Sequence, residues 1–595
     1  MESCKSNGKL WEKANMTAST KRPSGPSDFF RSLLPIITWL PNYQRTWLRA
    51  DLMAGLAVWA MTVPQALAYA GIAGVPPIYG LYAVPLAMIA YAIFGTSRTL
   101  CVGPESAIAI ISAVTVGALV TGDPEKFLAL TSLLALVVGG LFLVFGLLRL
   151  GWMANFLSYP VLQGFTQGIA LIVIVGQLPK VFGTEADFAR KVSAFAESWH
   201  TGFFLKTWAV LVTLLQANFT TTVIGVGALV VLFACKRFLP SAPSALIAVI
   251  LSVFPVWLLG LDERGVSVIG EVESGMVSLA VPALTLGEVL AVVPGALAIV
   301  LLGYSVSLSV AAVGAQATGE EINPNQELVG LGVANLGAAL SAGFVVSGSL
   351  SRGVVIRRAG GQTQVVSLIN AVLVLLTLVF VLPLFFKLPN ATLSAIVIGA
   401  MVGLLNFAYF RRLLRVDRAE FAYAMAALFG VLVLGILDGV ALGVALSLAV
   451  LIHRVSRPAT ATLGRLPGTQ TYRDISAHAE AETIPGLLIF RFDAPIIFCN
   501  VGFFVDQMRR LITDATAPVR GVLAPAQQIN HIDSTGADQL AKLQDELESK
   551  GITFSFVEVK APLREMMRRT GLEEKLGADH FHESIEDGVQ AFLQQ

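Results

Sequence analysis

Charge is what this sequence has least of. Asp, Glu, Lys and Arg together supply 14% of its 595 residues, where a soluble domain carries roughly 25%. Hydrophobic residues supply 55%, and the mean hydropathy is +0.72. That balance excludes a soluble protein over most of the length. Neither sign of charge dominates: the net charge of +1 excludes a nucleic-acid partner. Cys4, Cys101, Cys235 and Cys499 lie far apart with no CxxC pair, so neither a disulfide framework nor a cysteine metal site is expected. His580 and His582 lack the further ligands a metal needs. There is no Walker A loop, no dinucleotide fingerprint and no nucleophile elbow. No enzyme and no cofactor are expected. The first 28 residues are polar, with several Lys and Arg and no apolar stretch before a cleavage site. They read as a cytoplasmic segment rather than a signal peptide.

What the sequence does have is long apolar runs. They lie at 51–70, 78–94, 103–120, 127–148, 156–178, 207–234, 243–261, 287–313, 327–341, 348–356, 364–386, 392–408, 419–436 and 438–452, each long enough to span or half-span a bilayer. The 207–234 run contains Gln216, Asn218 and several Thr, which leaves its later part as the spanning candidate. After His453 charge density rises and the runs shorten. The expected division is a cytoplasmic segment 1–45, a transmembrane domain 46–455, and a linker with a soluble domain 456–595.

Charge placement tests that count. With the N-terminus inside, the even-numbered turns face the cytoplasm and are expected to be basic. They carry Arg98, Arg149, Lys236 with Arg237, Arg357 with Arg358, and Arg411, Arg412, Arg415 and Arg418. The outer loop 262–286 is mostly acidic: Asp262, Glu263, Glu271 and Glu273 against Arg264. Only the turn with Glu320 and Glu321 departs from the rule. Both termini are expected in the cytoplasm, with Asp438 at an outer turn.

Fourteen segments divide into seven plus seven. The runs near 103 and 348 open at Gly-, Pro- or Ser-rich breaks and hold the third and tenth places, which correspond. Paired broken segments point to a transporter site on inverted repeats. Their free N–H groups and positive dipole ends suit an anion.

At these residues a family resemblance appears. DLMAGLAVWAMTVPQALAYAGIAGVPPIYGLYA (51–83), FGTSRTLCVGP (94–104) and INPNQELVGLGVANLGAALSAGF (322–344) resemble the sulfate permease (SulP) anion transporters, the superfamily of the mammalian multifunctional anion exchangers and prestin. The resemblance covers nearly the whole chain. It implies a polytopic α-helical membrane protein built as a uracil-permease-like inverted repeat with core and gate domains. It also implies a cytoplasmic α/β STAS domain and a homodimer in a cell membrane, here a bacterial inner membrane. The substrates it implies are inorganic or small organic anions.

The C-terminal part fits a layered α/β domain by its own pattern. Strands are expected in LLIFRFDAPIIFCN (487–500), VRGVLAP (519–525) and ITFSFVEV (552–559). HIDSTGADQLAKLQDELESKG (531–551) reads as a turn into a helix, with Ala537, Leu540, Leu543 and Leu547 on one face. Asp533, Ser534 and Thr535 resemble the STAS signature loop, where relatives carry a phosphorylatable residue and where a regulatory protein can dock. Helix capping explains the same residue types.

The resemblance places an anion site between the third and tenth half-helices, against the first helix. There Gln65 and Tyr69 fall four apart on one face. Gln65 follows Pro64, which opens the backbone ladder. Polar contact between helices is the competing role for Gln65, and plain packing for Tyr69. In SGSLSRGVV (347–355), Ser349, Ser351 and the backbone at Leu350 offer donors; close helix approach also explains the small residues. Arg352 matches an arginine that raises the potential of the family's anion site. Snorkelling to the cytoplasmic face beside Arg357 and Arg358 is its alternative.

One position departs from the family. Proton-coupled members carry an acid in the eighth segment, where this chain has Gly303-Tyr304-Ser305-Val306-Ser307-Leu308-Ser309. Val306 takes no proton, which favours an exchanger or an uncoupled channel. Glu105, after Gly103-Pro104, is a second acid near the expected site. Either it replaces the missing carboxylate as the proton-coupling group, or it serves as a fixed partner of Arg352 or a helix-start acid. The expected function is secondary transport of an inorganic anion, sulfate first, by proton symport. Bicarbonate and C4-dicarboxylates are rival substrates, and a membrane-tethered regulatory scaffold is a rival class.

Overall fold

The computed structural model describes residues 33–120, 122–156, 158–195, 202–239, 242–270 and 285–594. The N-terminal residues 1–32, and with them the expected absence of a signal peptide, lie outside the described residues, as do Glu271 and Glu273 of the outer loop. The chain divides between 446 and 447 into two compact units.

In the membrane unit the helices begin and end where the polar turns dictate. Helix α1, Leu48–Ala73, runs through Pro64 and stops at Gly74, whose left-handed φ of 80° only glycine adopts freely. Helix α2, Pro85–Phe94, follows a short turn of helix, and strand β1, Val102–Gly103, leads into α3, Ser106–Gly117. Helix α4, Pro124–Leu147, starts with Asp123 capping the Lys126 amide at 3.0 Å and proline in its first turn. Then come α5, Tyr159–Phe182, α6, Phe219–Phe238, and α7, Ser244–Leu259. The second half holds α8, Leu286–Thr318, α9, Pro324–Leu340, strand β2, Ser347–Gly348, α10, Leu350–Arg358, and α11, Val365–Leu376. It ends with α12, Asn390–Val402, α13, Phe407–Val416, α14, Arg418–Leu434, and the first part of α15, Ile436–Ser456, within which the division at 446 falls.

Eight helical stretches among the described residues are long and apolar enough to cross a membrane. Shorter apolar helices, α3 among them, and the nine-residue α10 complete a set consistent with fourteen segments. The run at 207–234 is not one helix. Gln216 closes a 3-10 turn and Asn218 caps α6 by accepting from the Thr221 amide at 3.0 Å, so the polar residues inside that run divide it. The segment after α12 likewise breaks, and α13 is a separate helix. In the loop after α7, Asp262 forms an ion pair with Lys387, and residues 267–270 run beside 386–390.

Two groups of helices pack within this unit: α1–α4 with α8–α11, and α5–α7 with α12 and α14; α1 touches both groups. Lipid offers no hydrophobic drive for helix association, so close approach of small residues carries it. A Cβ on Gly164 of α5 would stand 2.0 Å from the Ala424 carbonyl oxygen of α14, and one on Gly139 of α4 would stand 3.0 Å from the Gly332 oxygen of α9.

The second unit is a six-stranded sheet in the order β4-β3-β5-β6-β7-β8. Its strands are β3, Thr460–Arg465, β4, Tyr472–Asp474, β5, Leu487–Phe492, β6, Gly521–Pro525, β7, Thr553–Val557, and β8, Phe581–His582. The last four pair in parallel, while β3 runs antiparallel to both β4 and β5. Helix α16, Ser534–Ser549, buries Ala537, Leu540, Leu543 and Leu547, the face expected from their spacing. Arg509 and Lys550 flank Glu546 at 2.6 and 2.7 Å, and their hydrogen bonds hold its carboxyl down to about 2.

Two fully buried carboxylates brace the turns around the half-helices. Glu327, in the first turn of α9, accepts from the Tyr91 hydroxyl at 2.6 Å and from the Thr96 amide and hydroxyl at 2.7 and 2.6 Å. Asp51 of α1 accepts from the Gln362 amide at 2.7 Å and the Thr363 hydroxyl at 2.6 Å. Removing such an acceptor strands its donors in a low dielectric. Glu327→Ala is expected to cost about 3 kcal/mol, read as a lower apparent Tm in detergent. Glu327→Gln, which keeps one acceptor oxygen, is expected to cost less.

Candidate functional site between two opposed half-helices

A four-residue ribbon positions everything else here. Val102 of β1 stands opposite Gly348 of β2, and Gly103 opposite Ser347, in antiparallel register. The Ser349 amide extends the ribbon by donating to the Cys101 carbonyl at 3.1 Å. Helix α3 leaves one strand and α10 leaves the other, and because the strands are antiparallel the helices depart at opposite ends of the ribbon, each with the positive end of its dipole turned toward it. Neighbouring helices fix the ribbon. Asn335 of α9 donates to the Val346 carbonyl at 3.0 Å and accepts from its amide at 2.9 Å. Ser307 of α8 accepts from the Gly348 amide at 2.9 Å.

The two helix ends are finished differently. Glu105 caps α3: its carboxylate accepts from the Ala107 amide at 2.9 Å, the Ile108 amide at 3.3 Å and the Ser106 hydroxyl at 3.0 Å. At α10 the cap residue Ser349 makes no such bond and instead shares a 3.1 Å hydroxyl contact with Ser351. The first-turn amides of α10 therefore have no partner within the helix.

Arg352 lies one residue further along, with 0% of its surface exposed. It does not snorkel. Its Nη2 donates to the Pro104 carbonyl at 3.0 Å, while Nε and Nη1 have no hydrogen-bond partner among the described residues. The missing side chain at position 103 gives it room: a Cβ there would stand 3.0 Å from Nη1 and 3.3 Å from Cζ, a tight contact. Among the described residues no ion pair joins Glu105 to Arg352. Of the roles considered for Glu105 beside proton coupling, the helix-start acid is the one with direct contacts.

Tyr69 is buried on α1, beside Ser106 and in reach of the Glu105 and Arg352 charges. Gln65, one turn earlier, is buried with its Oε1 unpartnered among the described residues. Leu350 and Ser351 are exposed and Val306 is half-buried. Asp533, Ser534 and Thr535 belong to the other unit. There Asp533 accepts from the Gly536 amide at 2.7 Å and from the Phe498 amide at 2.8 Å, capping α16, while Ser534 and Thr535 are exposed.

Sequence reasoning missed Ser106, Ser307, Asn335 and the glycine at 103. Ser307 stood in the run searched for a carboxylate, and Asn335 in a motif quoted for its resemblance. A polar residue amid Gly, Ala and Leu was the available signal for both.

The chain is similar to known proteins along its whole length. The model of the sulfate permease family matches residues 48–427, and that of the STAS domain matches 478–588. A Mycobacterium tuberculosis protein named "Probable sulfate transporter" is 35% identical over 94% of this chain and 100% of its own length. Sulfate transporter 4.1, chloroplastic, of Arabidopsis thaliana is 32% identical over 95% of this chain and 83% of its own. Among solved structures, the murine Solute Carrier 26 family member A9 anion transporter, inward-facing, superposes with a TM-score of 0.86 at 21% identity, covering 98% of each chain. The transmembrane domain of a cyanobacterial bicarbonate transporter superposes with a TM-score of 0.57 at 24% identity, over 68% of this chain and 98% of its own.

The close approach at position 103 can be tested by a double-mutant cycle. Gly103→Ala is expected to cost about 1–3 kcal/mol by overpacking against the guanidinium. In an Arg352→Gln background most of that cost is expected to vanish, since the atoms it meets are gone. Apparent Tm values of the four proteins in detergent check this.

Proposed function

Because the chain belongs to the sulfate permease family, and so is a multi-pass membrane transporter and not an enzyme, we propose that it carries small oxyanions, sulfate first, between the two half-helices. The observation that supports this most is Arg352, a buried cation with two free donors beside the uncapped first turn of α10. A charge in such a place lowers its own cost by binding a counter-ion. A tetrahedral oxyanion offers enough acceptors for Nε, Nη1 and the first-turn amides together. Tyr69, Gln65, Ser349 and Ser351 line the approach. The names of the relatives at 32–35% identity support sulfate.

Proton coupling is assigned to Glu105. Its carboxylate occupies the α3 amides that an anion would otherwise use. A protonated carboxyl is a weaker acceptor, so adding a proton frees those amides and removes a repelling charge at the same moment. Anion and proton then enter together, and movement of the α1–α4 and α8–α11 group against the remaining helices exposes them to the other side. Val306 favours a second reading, an exchanger or uncoupled channel, because α8 has no acid of its own. Bicarbonate and C4-dicarboxylates are rival substrates.

The remaining assignments follow the family: transmembrane domain 46–455, STAS domain within 456–595, a homodimer in a bacterial inner membrane, and both termini cytoplasmic. The exposed Ser534 and Thr535 are the place for a regulatory protein.

Uptake of labelled sulfate into proteoliposomes tests the reading, with bicarbonate and dicarboxylates as competitors. Arg352→Gln is expected to lower uptake at least about tenfold through lost charge-assisted bonds. Wild-type uptake is expected to rise as external pH falls, and Glu105→Gln to transport at a rate independent of pH. A Glu105→Gln protein with the wild-type pH dependence sinks the coupling role and leaves the exchanger or channel.

A further inference from the structure

Helix α13 carries a surface that transport does not use. It begins after the turn closing α12, where Asn406 accepts from the Tyr409 amide at 3.0 Å. One face is buried: Phe410 and Leu413 pack with Ala424, Phe421 and Met425 of α14. The adjoining face is exposed and mixed. Phe407, Arg411, Leu414 and Arg415 share it at positions i, i+4, i+7 and i+8, with Phe407 66% and Leu414 47% exposed, and Arg418 is exposed just beyond, where extended Asp417 ends α13 and α14 begins. Arg412 is exposed alongside them.

None of these four arginines makes an ion pair among the described residues. Two acids lie near these four arginines at the start of α14 among the described residues: Asp417, which accepts from the Ala419 and Glu420 amides at 2.8 and 3.2 Å as the helix cap, and Glu420. A second helix brings more positive charge. Lys236 and Arg237 are exposed at the end of α6, and Lys236 Nζ stands 3.6 Å from where a Gly403 Cβ would be, beside the turn that enters α13. Tyr409 packs edge-on against Tyr159 of α5 with ring centres 5.3 Å apart, as aromatic residues do at the edge of a bilayer.

We propose that this face binds the headgroups of anionic phospholipids. An exposed face of cations alone suits water, and an exposed apolar face alone suits acyl chains. Alternating the two suits the boundary between them. Phe407 and Leu414 enter the acyl region, and the arginine stems lie along it with guanidinium groups on the phosphates. Arginine matches phosphate with paired donors, which lysine cannot do. The leaflet is the one on the arginine-bearing side, cytoplasmic by the charge rule. The binding holds this end of α12 and α14 in the interface whichever anion is carried.

Spin-labelled phosphatidylglycerol and phosphatidylcholine, compared on the full chain in phosphatidylcholine nanodiscs, test this without reference to transport. The wild type is expected to immobilise phosphatidylglycerol in preference to phosphatidylcholine. A protein with Arg411→Gln, Arg415→Gln and Arg418→Gln is expected to lose that preference about tenfold or more. Arg415→Gln alone, the milder change, is expected to lose part of it. Equal preference in the wild type and the triple variant overturns the proposal. So does displacement of the lipid by millimolar inorganic phosphate, which assigns the site to free phosphate, or by an acidic peptide, which assigns it to a protein.

Discussion

A guanidinium with two unmet donors, buried against a four-residue ribbon, is the constraint on which the membrane unit turns. Leaving a charge in a low dielectric without a counter-ion is costly, and among the described residues no carboxylate forms a direct ion pair with it. It holds Arg352 in place instead. Gly103 admits it, the Pro104 carbonyl takes one of its donors, and Asn335 and Ser307 keep the two strands paired. The buried acids Glu327 and Asp51 fasten the turns at 96 and 362–363. Such an arrangement spends stability to keep positive potential available at one point.

The two half-helices are alike in placement and unlike in finish. Inverted repeats alone make them equivalent, each with a positive end at the ribbon. Glu105 breaks the equivalence by capping α3 from within, while Ser349 leaves α10 open. One end already holds an acid of the chain, and the other is free for an anion from outside. On the proposed function, this single carboxylate sets how many donors an incoming anion meets, and its protonation changes that number.

Much of this was readable in the sequence because bilayers impose simple rules. Apolar length, basic turns and the paired Gly-, Pro- and Ser-rich breaks located the spanning segments and the two half-helices, and period-marked residues located the buried face of α16. Contacts made by geometry rather than residue type were not readable. The alternatives kept for Arg352, snorkelling or pairing with Glu105, were both reasonable by charge, yet the side chain is fully buried and its one bond goes to a backbone carbonyl. Nothing in a residue string states that a proline carbonyl faces an arginine. The split of the 207–234 run was foreshadowed by Gln216 and Asn218. The antiparallel extension by β3 and β4 was not, since short half-exposed strands carry little hydrophobic pattern.

The central claim is that an oxyanion sits on Arg352 and the open end of α10. Selenate is a tetrahedral oxyanion with a strong anomalous signal, so diffraction from crystals grown with it tests that claim most directly. The account predicts one anomalous peak within hydrogen-bond distance of Arg352 Nε or Nη1 and of the first-turn amides of α10. A peak elsewhere in the membrane unit, with the ribbon site empty, contradicts it.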